Sequence, residues 1–189
     1  MSWETIGSSF ALVAASEIGD KTQLLAFSLA GRFRRPWSVL AGILVATLAS
    51  CALASALGAW IAAHVPPRVM AGIVAAAFIG FGIWALRPDT CEECDKPSRF
   101  GPFLTTTLLF LIAEMGDKTQ LATLALGARF GSAMLVTIGT TAGMLAADGI
   151  AVILGEKLAA KVQRRWPRFC TAGLFFVFGL ASAWRAVRG

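Results

Sequence analysis

Glu17, Asp20 and Lys21 stand in the middle of an otherwise apolar stretch, in the run Ser16-Glu17-Ile18-Gly19-Asp20-Lys21-Thr22-Gln23-Leu24. The pattern returns as Ala113-Glu114-Met115-Gly116-Asp117-Lys118-Thr119-Gln120-Leu121, at an offset of 97 residues. On a helix, Glu17, Asp20, Lys21 and Leu24 fall at i, i+3, i+4 and i+7, so both acids and the lysine share one face. If the two faces pack together, four carboxylates and two ammonium groups converge, and with all six ionised the cluster carries −2. One divalent cation neutralises that charge, and so do two protons. The carboxylates, the side-chain carbonyls of Gln23 and Gln120 and the hydroxyls of Thr22 and Thr119 form an all-oxygen set suited to magnesium, calcium or manganese. Neither motif contains His or Cys, which weighs against zinc or copper.

Lysines cannot ligate a cation. Lys21 and Lys118 are therefore expected to pair with the acids when no cation is bound, holding the net charge to what one divalent ion balances. Carboxylates crowded in this way titrate as a coupled set, so exchange of one divalent ion against protons follows. Gly19 and Gly116 lie between the acids and allow an unwound turn whose carbonyls also point inward. The competing reading makes each motif an internal salt bridge that stitches two helices without binding anything. Two copies weigh against it.

The elements that must position these residues are membrane helices. The chain is 57% hydrophobic and only 15% charged, with a mean hydropathy of +0.70; that is too apolar for a soluble domain of this length. Six apolar runs are each long enough to cross about 30 Å of hydrocarbon. They are Ile6 to Ala30, Trp37 to Ala63, Val69 to Leu86, Phe103 to Gly127, Ala133 to Leu158 and Phe169 to Trp184. Trp3, Trp37, Trp60, Trp84, Trp166 and Trp184 all fall at or near span ends, as headgroup-level indoles do. The Met-Ser-Trp-Glu start has no basic n-region, so the first run reads as a retained helix.

The loops after spans one, three and five carry Arg32, Arg34, Arg35; Arg87, Lys96, Arg99; and Lys157, Lys161, Arg164, Arg165, Arg168. The other side carries Arg68, Arg129, Arg185 and Arg188. The positive-inside rule puts the first set in the cytoplasm and both termini outside. The net charge of +6 is thus an orientation signal, and nucleic-acid binding is set aside.

The offset of 97 also relates Arg32-Phe33 to Arg129-Phe130, Gly42 to Gly139, Leu57-Gly58 to Leu154-Gly155 and Phe81-Gly82 to Phe178-Gly179. Each repeat then holds three spans, and an odd number of crossings inverts the second copy. The expected fold is an all-α integral membrane protein of six transmembrane helices in two inverted three-helix repeats. Residues 1–87 form the first, 88–99 a cytoplasmic acidic linker bracketed by Pro88 and Pro97, and 100–189 the second. Gly139, Gly143 and Ala147, with their mates Gly42, Ala46 and Ser50, form small-residue stripes for close helix packing.

Outside the motifs, Asp148 lies on a stripe with Thr137, Thr141 and Met144, and its repeat mate is Cys51. It is a candidate for the proton path, with a solvated cavity residue as the alternative. Cys91 and Cys94, flanked by Asp89 and Asp95, form a CxxC in the linker that could capture a metal on the cytoplasmic side, but an isolated CxxC lacks the second ligand pair of a structural zinc site, and an ordinary solvated loop is the favoured reading. His64 is read as interfacial.

At the twin motifs the chain resembles the Gdt-type cation/proton exchangers, which include the Golgi manganese and calcium transporters and bacterial MneA-type manganese exporters. Their hallmark is a doubled Glu-x-Gly-Asp-(Lys/Arg)-(Thr/Ser) in two three-helix repeats, and Glu17 to Thr22 and Glu114 to Thr119 match it at every specified position. The resemblance implies manganese or calcium transport coupled to protons, with Glu17, Asp20, Glu114 and Asp117 in the cation site. In a compact bacterial-type member it implies manganese export across the inner membrane. No permanently bound cofactor is expected; the partners are the transported cation, protons and the bilayer, and the arrangement is compatible with a homodimer. Two rival readings are an exporter of an amine or amino-acid metabolite and an intramembrane lipid-phosphate hydrolase. The second would want phosphate-binding Arg or Ser near the acids, where the motifs offer only Lys21 and Lys118.

Overall fold

The computed structural model describes residues 2–86, 100–154 and 166–188. Among these residues the chain is all helical: α1 (Ser2–Glu17), α2 (Lys21–Phe33), α3 (Pro36–His64), α4 (Pro67–Ala85), α5 (Pro102–Glu114), α6 (Lys118–Phe130), α7 (Ala133–Leu154) and α8 (Trp166–Arg188). The linker with Cys91 and Cys94, and the basic stretch 155–165, lie outside the described residues.

Proline sets several starts, since its fixed φ and missing N–H suit a first turn: Pro36 opens α3, Pro67 opens α4 and Pro102 opens α5. The expected first and fourth spans are each two helices, with the motif at the break. Gly19 and Gly116 adopt φ of +80° and +74°, a region L-residues with a Cβ avoid. The chain leaves α1 after Glu17, turns through Gly19, and restarts at Lys21 with Asp20 as the extended N-cap; Glu114, Gly116, Asp117 and Lys118 repeat this. Each turn closes by a backbone bond, Asp20 N–H to Glu17 O at 3.0 Å and Asp117 N–H to Glu114 O at 3.1 Å. Glu and Asp therefore do not share a continuous helical face; they flank a turn.

Three described helices are long and apolar enough to cross a membrane: Pro36–His64, Pro67–Ala85 and Ala133–Ile153. Pro102–Glu114 and Phe169–Trp184 are shorter apolar helices. Polarity is distributed inside out. Leu53, Ile153, Val177 and Leu180 are more than 60% exposed, whereas Glu17, Asp20, Glu114, Asp117, Lys118 and Asp148 are buried. An apolar exterior around buried charges is what a hydrocarbon solvent selects. Trp3, Trp37, Trp60 and Trp184 are exposed near helix ends.

The broken helices of each half pack on the long helix of the other: α1 on α7 and α5 on α3, α2 on α7 and α6 on α3. α3 also crosses α7, and α4 packs on α8, where Phe78 and Phe81 of α4 meet Phe175 of α8 with ring centroids near 6.1 Å. The contacts repeat at the sequence offset. A Cβ on Gly42 would lie 2.8 Å from Phe103 O and 2.7 Å from Thr106 Cβ, and one on Gly139 2.6 Å from Ile6 O and 2.9 Å from Ser9 Cβ. Ile6 and Ser9 are the repeat mates of Phe103 and Thr106. Two glycines thus bring backbone against backbone in equivalent places, and the two halves interlock through these faces.

Candidate cation site

Each break presents its carboxylates inward. Single carboxylate oxygens of Glu17, Asp20 and Asp117 all lie within 4.8 Å of one another, and all three residues are buried. Oxygens around one Ca2+, each at about 2.3–2.6 Å, are at most about 5 Å apart, so one hard cation fits this spacing. Glu114, also buried, falls outside that trio. Neither of its carboxylate oxygens has a hydrogen-bond partner among the described residues, and the same is true of Asp117 Oδ2.

The lysines pair between the two motifs. Lys21 Nζ lies 3.3 Å from Asp117 Oδ1, and Lys118 Nζ lies 2.9 Å from Asp20 Oδ1. Each ammonium thus reaches across to the aspartate of the other motif, and charge complementarity holds the two breaks together. The pairs differ in access: the Lys21 side chain is 22% exposed and that of Lys118 5%.

The glutamines hold the turns. Gln23 Oε1 accepts from Gly19 N–H at 2.8 Å, and Gln120 Oε1 accepts from Gly116 N–H at 2.8 Å. A turn amide freed by leaving the helix is thereby satisfied. The amide ends then reach the other half: Gln23 Nε2 donates to Ala147 O at 3.2 Å and Gln120 Nε2 to Ser50 Oγ at 3.2 Å. Thr22 Oγ1 donates to Glu17 Oε2, while buried Thr119 Oγ1 has no hydrogen-bond partner among the described residues. The threonines are thus inequivalent.

Ser50 and Ala147 are contacts the sequence marked only as packing residues. They are mates at the offset of 97, and that correspondence next to a doubled motif was the available signal. Asp148 follows Ala147 in α7 and is fully buried, with neither carboxylate oxygen hydrogen-bonded to a described residue. Its mate Cys51 sits 3.6 Å, sulfur to sulfur, from Met144. At this crossing of α3 and α7 the two halves carry different chemistry.

Buried carboxylates and ammonium groups at two broken helices, inside an apolar exterior, define a helical membrane protein built to hold charge at its centre. The sequence matches the family described as "Divalent cation/proton antiporter GDT1" over residues 5–93 and 102–189, and the chain belongs to that family. It is 42% identical over 176 residues to a Vibrio cholerae protein named "Putative manganese exporter", covering 93% of this chain and 88% of that one. It is 30% identical over 198 residues to the "GDT1-like protein sll0615" of Synechocystis, covering 93% and 95%. With "GDT1-like protein 5" of Arabidopsis thaliana it shares 31% identity over 214 residues, covering 92% of each. No solved structure matches the chain.

Proposed function

We propose that this chain exports Mn2+ across the inner membrane in exchange for protons, with Ca2+ as the competing substrate. The observation that carries this reading is the trio Glu17, Asp20 and Asp117, with carboxylate oxygens close enough for one cation, and an ammonium group already paired to each aspartate. The ammonium ions hold the place of positive charge. As the cation enters, Lys21 and Lys118 withdraw and Glu17, Asp20 and Asp117 ligate it, with Glu114 supplying the fourth carboxylate. Gln23 and Gln120 keep a second lone pair on the carbonyl already bonded to a turn glycine, so they contribute through the turn as well as through oxygen. Thr22 and Thr119 orient or extend the ligand set. When the cation leaves, protons and the two ammonium ions balance the carboxylates, and buried Asp148 gives protons a way in from α7.

Counting each broken pair as one crossing makes six spans, in two inverted three-helix repeats joined by the cytoplasmic linker 88–99. The reciprocal contacts of Gly42 and Gly139 support that symmetry. The basic loops favour both termini outside. Symmetry of this kind lets the two breaks exchange roles as access alternates.

The deciding experiment is Mn2+ uptake into proteoliposomes under an imposed pH gradient, with Ca2+ and Mg2+ as competitors and Asp20→Asn and Asp117→Asn as controls. Proton-driven accumulation that both substitutions abolish is expected. Folded protein that moves no divalent ion in either orientation, or moves a primary amine instead, would overturn the reading.

A further inference from the structure

A cavity of about 320 Å³ lies where α3 ends and α4 begins, bounded also by α6 and α8. Its polar lining is Arg68, Arg129 and Ser182, and its apolar lining includes Met70, Val74 and Ala128. None of its lining residues belongs to either motif. Two guanidinium groups make it hostile to a divalent cation and receptive to an anion.

Both arginines are held in place by the same helix. Arg68 Nε donates to Ala186 O at 2.9 Å and its Nη2 to Val187 O at 3.3 Å. Arg129 Nη1 donates to Phe178 O at 3.1 Å and Ser182 Oγ at 2.8 Å, and its guanidinium lies 4.9 Å from the Phe178 ring centroid. Phe178 O, which holds Arg129, and Ala186 O, which holds Arg68, are about two helical turns apart, so α8 anchors the two cationic groups at points about 12 Å apart along its axis, at either end of the cavity they line. Each guanidinium is thus preorganised, and loses little side-chain freedom on meeting an anion.

The surroundings say which anion. Trp60, at the same end of α3, is 62% exposed and Trp184 of α8 is 60% exposed, which marks this level as the headgroup region. Arg68, in the first turn of α4, stands between the cavity, which meets α4 at Met70, Ala71 and Val74, and the outward face of the helix, where Val69 and Ile73 are 53% and 52% exposed. Guanidinium groups at headgroup level next to an apolar helix face suit a molecule that is a phosphate at one end and hydrocarbon at the other. We infer that this cavity binds the phosphate of an anionic phospholipid of the phosphatidylglycerol class, with its acyl chains along Val69 and Ile73 of α4. The inference stands independently of the cation reading.

The test uses the full chain purified in an uncharged detergent, with phosphatidylglycerol, phosphatidylcholine of the same acyl chains, and inorganic phosphate as separate probes. Native mass spectrometry reads lipid retained, and thermal unfolding reads stabilisation. Phosphatidylglycerol should be retained and should raise the midpoint, with phosphatidylcholine weaker and phosphate inert. Arg68→Gln should weaken retention about fivefold, the effect of one interfacial cation, with Arg68→Lys keeping most of it. Arg129→Gln should do the same; if it fails to fold, Arg68→Gln alone decides, because Arg68 is exposed and caps only the end of α8. Equal retention by wild type and Arg68→Gln would overturn the proposal. Stabilisation by inorganic phosphate equal to that by phosphatidylglycerol would overturn the lipid as source and leave a free-anion site.

Discussion

Lys118 Nζ lies 2.9 Å from Asp20 Oδ1, so the lysine of the second motif closes on the aspartate of the first. The return pair, Lys21 with Asp117, is longer at 3.3 Å and more exposed. The two motifs are identical from Gly to Leu in sequence, yet one ammonium is sealed and the other is open to its surroundings. Removing one partner of a buried pair weakens the compensation of the charge left behind, a loss of up to about 3–5 kcal/mol. Lys118→Gln should therefore destabilise the protein by up to that amount, and Lys21→Gln clearly less. Thermal unfolding of the two purified variants checks the order; equal losses would mean the exposure difference carries no energy.

On the proposed function, the same pairs compete with the bound cation. An ammonium within about 4 Å of a carboxylate, at an effective dielectric constant near 20, interacts by about 4 kcal/mol, part of which a cation must displace. Lys21→Gln should raise equilibrium Mn2+ affinity at least about tenfold while slowing release. Calorimetric titration reads the affinity and efflux from preloaded vesicles reads the release. An unchanged or weakened affinity would show that Lys21 helps to build the site.

Much of this was legible in the sequence because charge inside an apolar run has few explanations. The doubled motif, the offset of 97 and the glycine between the acids pointed to the two breaks that the ion pairs bring together. Pairing was not legible: nothing in the residue order says whether Lys21 serves Asp20 or Asp117, since that depends on how two distant breaks pack. The continuous helical face placing Glu17 beside Asp20 gave way to a turn at Gly19, whose φ of +80° is a tertiary choice that glycine only permits. The arginine cavity was hidden for a similar reason. Arg68 and Arg129 lie far apart in sequence and are brought together by α8.

The turn itself can be tested at Gly116. Its φ is +74°, and an added Cβ would meet nothing within 4 Å. Space is therefore not at issue, and Gly116→Ala isolates the conformational term, about 1–2 kcal/mol. A helix that straightens to relieve it would carry Asp117 away from Lys21. Stability should fall by about 1–2 kcal/mol and Mn2+ transport by much more than the loss of folded protein explains. Normal transport per folded molecule would mean the turn is not needed for binding.

The interlock of the halves predicts matched penalties. Gly42→Ala forces a Cβ to 2.8 Å from Phe103 O, and Gly139→Ala to 2.6 Å from Ile6 O. Both contacts are with backbone, which yields little, so each substitution should cost about 1–3 kcal/mol. Gly72→Ala, with nothing within 4 Å, gains helix propensity and should be neutral or stabilising. Thermal midpoints of the three variants check this, and a harmless Gly139→Ala would contradict the close approach of α1 and α7.

Asp148 offers the sharpest separation of structure from function. It is fully buried in α7, and neither of its oxygens is hydrogen-bonded to a described residue. An acid placed so contributes nothing to packing that an amide of the same shape would not, and its desolvation is a cost to the fold. Asp148→Asn should leave the thermal midpoint unchanged or raise it, and should slow proton-driven Mn2+ exchange about a hundredfold or more, the lower end of what a positioned proton-transferring side chain contributes. Equilibrium Mn2+ binding should survive, because Asp148 lies outside the trio of Glu17, Asp20 and Asp117. Flux under a pH gradient, set beside calorimetric binding of the same variant, separates the two effects. A variant that unfolds early yet exchanges normally per folded molecule would make Asp148 a structural residue. Loss of binding together with flux would instead move it into the ligand set.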